Sequence, residues 1–203
     1  MRRCIIVGKP NVGKTLFLLA LAESLRVKNI SLLRELPDGK RMAVSYDIRE
    51  AARHLVDPAP HTTRCLQSVI LDLPAGKGRK RVEIIDTTGL SEGVHRDPGV
   101  RKSMAQTLAA LQSSDLIVHI IDAAAAGRGM DEPPVGEVDQ EICNYARLRG
   151  GYCIVANKMD IPGADKGLKQ LVQTLPPGVR VFPVSALRRR GILEVRTYVG
   201  SQL

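Results

Sequence analysis

The sequence predicts an α/β fold: a six-stranded, mostly parallel sheet with one antiparallel edge strand and helices on both faces. Two patterns lead to this prediction. Apolar runs of strand length alternate along the chain with segments whose apolar residues recur at helical spacing, which is typical of stacked βα units. Only one pair of consecutive strands lacks a helix between them, which indicates a single hairpin within a parallel sheet.

The predicted strands are short apolar runs, and the second and third are joined by residues 74–80, a turn rich in Gly and basic residues. The strands are Arg3–Val7, Cys65–Leu73, Arg81–Ile85, Leu116–Asp122, Tyr152–Ala156 and Val179–Val184. The predicted helices are Lys14–Arg26, Pro98–Gln112, Gly136–Arg149, Ala164–Leu175 and Arg190–Val199. Ala123–Ala126 precedes Gly, Pro and acidic residues, so we expect a loop there.

Length and composition indicate one ordinary globular domain. The chain has 203 residues, of which 44% are hydrophobic and 25% charged, values that exclude disordered and collagen-like classes. No apolar run approaches the roughly 20 residues of a membrane span, and the N-terminal apolar run leads into a glycine-rich loop rather than a cleavage site. The four cysteines are spaced singly, which weighs against zinc or disulfides. We therefore expect a single cytoplasmic domain over residues 1–203.

The first predicted strand leads into Gly8-Lys-Pro-Asn-Val-Gly-Lys-Thr15 and then a helix, the context in which GxxxxGK[ST] binds phosphate. Gly8 and Gly13 allow backbone N–H groups to face phosphate, and the helix N-terminus adds its positive end. Lys14 is expected to reach the β- and γ-phosphates, and the Thr15 hydroxyl to ligate Mg²⁺. The predicted phosphate-binding residues are Gly8, Asn11, Val12, Gly13, Lys14, Thr15 and Leu16.

Two further motifs predict that the base is guanine. Asn157-Lys-Met-Asp160 follows the Tyr152–Ala156 strand, and a carboxylate there can accept both the N1–H and the exocyclic amine of guanine, which adenine does not present. Ser185-Ala-Leu187 follows the last strand, where backbone N–H groups could contact the guanine carbonyl. The predicted base-binding residues are Asn157, Lys158, Asp160, Ser185, Ala186 and Leu187.

Asp86-Thr-Thr-Gly89 and the pair Thr62 and Thr63 complete the predicted site. Asp86 ends a strand and would face the metal through water, while the Gly89 N–H would bond the γ-phosphate and sense its loss. One threonine of the pair would be a second metal ligand when triphosphate is bound. The predicted metal ligands are Thr15, Thr63 and Asp86.

In these motifs the chain resembles the translation-factor class of P-loop GTPases, and more closely its Obg and TrmE–Era–Der branches. GKPNVGKT, TTR, DTTGLSEGVH and IVANKMDIPGA occur in family order and span nearly the whole chain. The resemblance implies a P-loop GTPase fold, GTP or GDP with Mg²⁺ as ligands, and slow hydrolysis of GTP coupled to a switch. It also implies a role in ribosome assembly or translation, with ribosomal RNA or a ribosomal particle as partner.

Leu90 follows DTTG, whereas Ras-like enzymes place a water-orienting Gln there. In several members of the resembled family a K⁺ ion beside the phosphates supplies charge, and its ligand is the phosphate-loop Asn, which matches Asn11. The alternative is that Asn11 only closes the loop. Glu92 or His95 could act on the attacking water, although each is also typical of a solvated loop. The predicted catalytic residues are Asn11, Lys14, Thr63, Gly89 and Glu92.

The chain also departs from the family pattern. The stretch between Lys14 and Thr63 is longer than in the family, which predicts an inserted first-switch segment around residues 27–61, and His61 replaces the Gly or Phe before the threonine pair. The domains that give the relatives their cellular roles are expected to be absent, since both ends lie close to the GTPase pattern. A GTP-dependent adaptor that binds a protein partner, with little hydrolysis, is therefore an alternative function.

The chain is basic, with 30 Lys and Arg residues against 21 Asp and Glu residues and a formal charge of +9. A nucleotide site needs few of these cations. The clusters Arg2–Arg3, Arg79–Arg81 and Arg188–Arg190 favour contacts to RNA phosphates. A solvated basic surface is the alternative, since no aromatic residues lie between these cations, and an anionic membrane is a third candidate.

Overall fold

The computed structural model describes residues 1–36, 38–55, 65–91, 96–128 and 134–203. Its centre is one eight-stranded sheet with the strand order β3-β2-β4-β5-β1-β6-β7-β8. The strands are β1 (Arg2–Val7), β2 (Asn29–Glu35), β3 (Arg41–Asp47), β4 (Leu66–Ala75), β5 (Gly78–Asp86), β6 (Leu116–Asp122), β7 (Tyr152–Asn157) and β8 (Arg180–Pro183).

Seven helices are found within the described ranges. They are α1 (Lys14–Ser24), α2 (Ile48–Leu55), α3 (Pro98–Gln112), α4 (Ala123–Arg128), α5 (Glu137–Arg149), α6 (Ala164–Thr174) and α7 (Ile192–Gln202). None of these helices is long and apolar enough to cross a membrane.

The predicted α/β class is confirmed, but the antiparallel part of the sheet is larger than predicted. Strands β5, β1, β6, β7 and β8 run parallel to one another. Strand β4 is antiparallel to β5, and β2 and β3 continue that antiparallel arrangement. The prediction of six strands and one antiparallel edge strand was therefore wrong in number, because two strands in the segment 27–61 were missed. Both strands carry charged residues, β2 buries only Ile30 and Leu32, and none of the residues of β3 is buried, so the apolar signal is weak.

The segment after α1 thus forms a hairpin and a helix rather than an irregular loop. Strand β2 pairs with β4 through Leu33–Glu35 and with β3 along its whole length. In α2, the side chains of Ile48, Ala51 and Leu55 are buried, at the spacing of one helical face, and they join the core around α1. This segment therefore shares the hydrophobic core of the sheet.

Helices pack on both faces of the sheet, as predicted, and two hydrophobic cores lie between them and the sheet. Along β1, Cys4 and Ile6 belong to the core beneath α1, α2 and α7, whereas Ile5 and Val7 belong to the core beneath α3, α5 and α6. This alternation follows from the two-residue period of a strand. All four side chains are buried, so β1 packs against a hydrophobic core on each face of the sheet.

Residues Ala123–Ala126, predicted as a loop, instead begin the short helix α4. Asp122 caps its first turn, because its Oδ1 accepts a hydrogen bond from the Ala125 N–H at 2.9 Å. Helices α4 and α6 approach so closely that a Cβ at Gly167 would lie 1.9 Å from the Ala123 carbonyl oxygen. Glycine is therefore required at this crossing.

Candidate nucleotide-binding site

The predicted site motifs meet at the carboxyl edge of the parallel strands. The phosphate loop follows β1, the DTTG segment follows β5, NKMD begins at the end of β7, and residues 184–191 follow β8. Parallel strands place their carboxyl ends at one edge, where ligands bind in open α/β sheets. Motifs separated by more than a hundred residues are thus brought together.

The backbone of the phosphate loop explains its glycines. Gly8 has φ 144° and a Cβ there would lie 2.3 Å from the Ile120 carbonyl oxygen, while Gly13 has φ 97° and a Cβ would lie 2.5 Å from Nδ2 of Asn157. Helix α1 begins directly after Gly13, with no side chain capping it. Its first N–H groups therefore remain free to bind an anion.

Lys14 lies inside this loop with only 7% of its surface exposed. Its ammonium donates hydrogen bonds to the carbonyl oxygens of Gly8 at 3.2 Å and Lys9 at 2.7 Å. Burial lowers the pKa of Lys14 to about 8, and the negative charges of Asp86 and Asp139 oppose this shift. At neutral pH the group is therefore mostly protonated and weakly hydrated, the state in which a phosphate gains most from it.

Asp86 forms the polar centre of the site and is fully buried. Its Oδ2 accepts hydrogen bonds from the Thr15 hydroxyl at 2.6 Å and from the Gln67 amide at 3.0 Å. Its Oδ1 has no partner within the described residues, and burial raises the pKa of the carboxyl group. A buried carboxylate oxygen without a partner beside a hydroxyl fits a hard, oxygen-seeking cation such as Mg²⁺.

The loop after β5 packs directly on the phosphate loop. A Cβ at Gly89 would lie 2.5 Å from the backbone nitrogen of Pro10, and the Leu90 N–H donates to the Gly8 carbonyl at 3.2 Å. The Leu90 side chain is buried in the core beneath α3, α5 and α6. Leu90 is therefore a packing residue that holds the two loops together, and it has no group that could orient water.

Asn157 connects the phosphate loop with the base-binding segments. It is 2% exposed, its Nδ2 donates to the Val12 carbonyl at 2.8 Å, and its Oδ1 accepts from the Ala186 N–H at 3.0 Å. The sequence predicted Asn157 as a ligand of the nucleotide; in the structure its side chain joins the loop that holds Ala186 to the phosphate loop, 145 positions before Asn157 along the chain.

The side chain of Asp160 is exposed at the mouth of the site. Its Oδ1 accepts a hydrogen bond from the Ser185 hydroxyl, which in turn accepts from the Arg188 N–H at 3.0 Å. Lys158 has a left-handed backbone with φ 66°, and its ammonium lies 2.7 Å from Oδ2 of Asp122. The Asp160 carboxylate is thus held in place while remaining accessible to a ligand.

The remaining predicted site residues have different positions. Leu16 packs partly against the core, and Leu187 is 61% exposed beside the buried Ala186. Four candidate site residues lie outside the described residues, and their roles stay predictions: Thr62, Thr63, Glu92 and His95. His61, noted as a departure from the family pattern, also lies there.

A buried polar network behind the phosphate loop was missed from the sequence. The Lys9 ammonium lies 3.5 Å from Oδ2 of Asp139, and Oδ1 of Asp139 lies 3.0 Å from Nε2 of His119. Nδ1 of His119 lies 3.0 Å from the Tyr152 hydroxyl. One sequence feature could have indicated it: His119 is a single polar residue among the apolar residues before Asp122 in β6. A histidine buried there needs hydrogen-bond partners.

We expect the substitution Asp139→Ala to lower the free energy of unfolding by about 3 kcal/mol, because it leaves the fully buried His119 without its carboxylate partner and also removes an ion-pair partner of the half-buried Lys9. Urea denaturation of the nucleotide-free protein measures this effect. The matched control is Asp72→Ala, whose carboxylate lies 3.9 Å from Arg81 on the exposed surface and should contribute less than about 0.5 kcal/mol. Equal stability of the Asp139→Ala and control proteins would contradict the network's structural role.

The fold and the arrangement of these loops define a P-loop protein of the GTPase class. Residues 43–158, more than half of the chain, match the family model described as "50S ribosome-binding GTPase". The chain belongs to this family. The matched range begins after the phosphate loop, so that loop is assigned from its own motif and geometry.

Curated relatives and solved structures agree with the predicted Obg and Era resemblance. The GTPase Obg of Anoxybacillus flavithermus is 41% identical over 113 residues, covering 54% of this chain and 26% of Obg. The GTPase Obg of Bacillus velezensis is 38% identical over 121 residues, covering 58% of this chain and 27% of that Obg. The chain thus spans about a quarter of the length of these relatives.

Two solved Era structures share the fold. A tyrosine-to-alanine variant of Aquifex aeolicus Era bound to GDP·AlF4⁻ has a TM-score of 0.66 and 24% identity, with 96% of this chain and 55% of that chain covered. Era in complex with MgGDPNP and part of 16S ribosomal RNA has a TM-score of 0.64 and 23% identity, with 96% and 54% covered.

Proposed function

We propose that the protein binds GTP with Mg²⁺, hydrolyses it slowly to GDP and phosphate, and acts as a molecular switch. The observation that supports this most is the meeting of three groups at one sheet edge: the buried ammonium of Lys14, the Thr15–Asp86 pair and the exposed carboxylate of Asp160. Each matches one part of a guanine nucleotide, namely the phosphates, their metal and the base.

Different residues of the chain would bind the phosphates, hold Mg²⁺ and respond to the γ-phosphate. The free N–H groups at the start of α1 and the Lys14 ammonium bind the β- and γ-phosphates. Thr15 and Asp86, together with Thr63, would hold Mg²⁺, which supplies charge neutralisation between the phosphate oxygens when bound. Gly89 and Thr63 would respond to the γ-phosphate, so that hydrolysis releases both switch segments.

We further propose that a K⁺ ion beside the phosphates, held by Asn11, assists hydrolysis. Leu90 is buried and has no group that could orient water, and no sequence motif places an arginine of the first switch beside the phosphates. Hydrolysis therefore needs another group that offsets the negative charge developing there. We expect GTP hydrolysis to be about tenfold faster in KCl than in NaCl at equal ionic strength, which corresponds to about 1.4 kcal/mol of transition-state stabilisation. Single-turnover assays with GTP in the two salts measure the difference.

The matched variant is Asn11→Gly, because Asn11 has φ 59° and glycine keeps this backbone while removing the amide oxygen. It should lose the preference for K⁺ while retaining GDP binding. Equal wild-type rates in both salts, also with a ribosomal particle present, would leave Asn11 as a loop-closing residue and move the catalytic role to Glu92, His95 or a partner.

For the cellular role we propose ribosome assembly or translation in the cytoplasm, with ribosomal RNA or a ribosomal particle as partner. The family description, the Era complex with 16S ribosomal RNA and the charge of +9 support this. We further propose that residues 1–203 act as one GTPase domain in which the segment 27–61 elaborates the first switch.

Capture from a cell extract, with the protein loaded with a non-hydrolysable GTP analogue or with GDP, tests this role. Ribosomal particles should be retained preferentially in the GTP-analogue state. Tight GTP binding without turnover, either alone or with particles, would instead support a GTP-dependent adaptor that binds a protein partner.

A further inference from the structure

The structure divides the basic side chains into those with acidic partners and those without. Each of the three basic clusters in the sequence has a member that is paired with a carboxylate. The pairs are Arg2–Asp115, Arg3–Glu83, Arg81–Asp72 and Arg189–Glu23. These clusters are therefore less available to an external anion than the sequence indicates.

A pocket of about 440 Å³ lies between the end of α1, the β4–β5 hairpin and α7, and we call it the arginine pocket. Three of its seven lining residues are Arg26, Arg79 and Arg196, and none of the seven is acidic. Within the described ranges, none of these three arginines forms an ion pair. Three uncompensated positive charges thus face one concave surface.

One of the three arginines is held in place by a backbone carbonyl, and a second has an unusual backbone conformation. Arg196 donates from Nη1 to the Ser24 carbonyl at 2.6 Å, and its Nε is buried with no partner in the described part of the chain. Arg26 follows α1 with φ 62°, a left-handed position at a helix end where glycine is the usual residue. Arg26 therefore occupies a backbone conformation that glycine could also adopt.

The arginine pocket is separate from the nucleotide site. Lys14 begins α1 and Arg26 follows its last turn, so roughly 16 Å of helix lies between them at about 1.5 Å per residue. An anion in the pocket is therefore not a phosphate of the nucleotide bound at the loop after β1.

We propose that the arginine pocket binds backbone phosphates of RNA. Guanidinium groups match phosphate oxygens in geometry and charge, and no aromatic side chain lines the pocket, so it suits contact with the backbone rather than stacking of bases. The proposal rests on the proposed ribosomal role and names the surface through which RNA is held.

The test measures binding of a single-stranded RNA of mixed sequence to the full chain loaded with a non-hydrolysable GTP analogue, by fluorescence anisotropy between 50 and 200 mM KCl. The double variant Arg26→Gly with Arg79→Ala should bind about tenfold more weakly at the lowest salt. Its slope of log affinity against log salt should fall by about 0.7 for each lost phosphate contact. Glycine at position 26 suits the left-handed backbone, so a folding defect is not expected.

The control removes two exposed charges from the opposite face of the sheet, Arg147→Ala on α5 and Lys169→Ala on α6. RNA affinity that is unchanged in the pocket variant, or reduced equally in the control, would overturn the proposal. The proposal would also be overturned if the wild-type protein did not bind RNA, or if the arginine pocket were needed for binding to anionic lipid vesicles but not to RNA. GDP affinity, measured in parallel, should be equal in the wild type, the pocket variant and the control. A wild-type protein that does not bind GDP would refute the proposed nucleotide function rather than the RNA proposal.

Discussion

Replacing Lys14 with alanine is expected to lower GTP affinity and turnover by at least about a hundredfold. The ammonium is buried in the phosphate loop and donates hydrogen bonds to the carbonyl oxygens of Gly8 and Lys9. Charge-assisted hydrogen bonds contribute about 1.5–3 kcal/mol each, and two phosphates would share this group. Loss of these hydrogen bonds lowers the binding energy of GTP, and it also leaves the negative charge of the phosphates uncompensated.

Calorimetric titration with GTP and a single-turnover phosphate-release assay measure the two effects. The control is Lys169→Ala, which removes an exposed lysine on α6 and should behave like the wild type. Thermal unfolding without nucleotide should show that Lys14→Ala remains folded, since alanine removes a desolvated charge rather than a core contact. Wild-type turnover in the Lys14 variant would refute the phosphate-loop assignment.

The substitution Asp160→Asn is expected to reverse the base preference from guanine to xanthine. In the structure Oδ1 of Asp160 is already engaged by the Ser185 hydroxyl, so the asparagine oxygen keeps this partner and its NH₂ group faces the base. An NH₂ group opposes the guanine amine but can donate to the C2 carbonyl of xanthine. Sites that hydrogen-bond a ligand group discriminate by about 10⁴ or more, so we expect GTP affinity to fall by at least about a thousandfold.

Competition between GTP and XTP for the same protein measures the preference directly. Asp165→Asn is the matched control, because Asp165 is an exposed carboxylate five positions further along, in the first turn of α6. That variant should retain the wild-type preference for GTP. An Asp160→Asn protein that still prefers GTP would show that NKMD does not bind the base.

The sequence alone was sufficient for the α/β class, the five parallel strands and the hairpin before β5. Each of these has a local signature: a buried parallel strand is a continuous apolar run, and a helix repeats its apolar residues every three to four positions. The family resemblance was also predictable, because the phosphate-loop and NKMD motifs are short and contiguous.

The tertiary structure was needed for the strands β2 and β3. Their residues alternate weakly and carry charges, so they become strands mainly because β4 offers an unpaired edge and α2 closes over the same core. Local propensity is a weak determinant where pairing with a distant strand supplies the hydrogen bonds. The helix α4 was missed for a related reason, since its close contact with α6 could not be seen from the alanine run.

Partnerships between distant side chains were also decided only by the fold. Nothing near Asn157 in the sequence indicates that it bonds Val12, and nothing near His119 indicates that Asp139 and Lys9 complete its network. The same holds for the arginines: composition showed a surplus of positive charge, but only the folded chain separates those next to a carboxylate from Arg26, Arg79 and Arg196. A side chain's charge is set by its chemistry, whereas its compensation depends on which residues the fold places within about 4 Å.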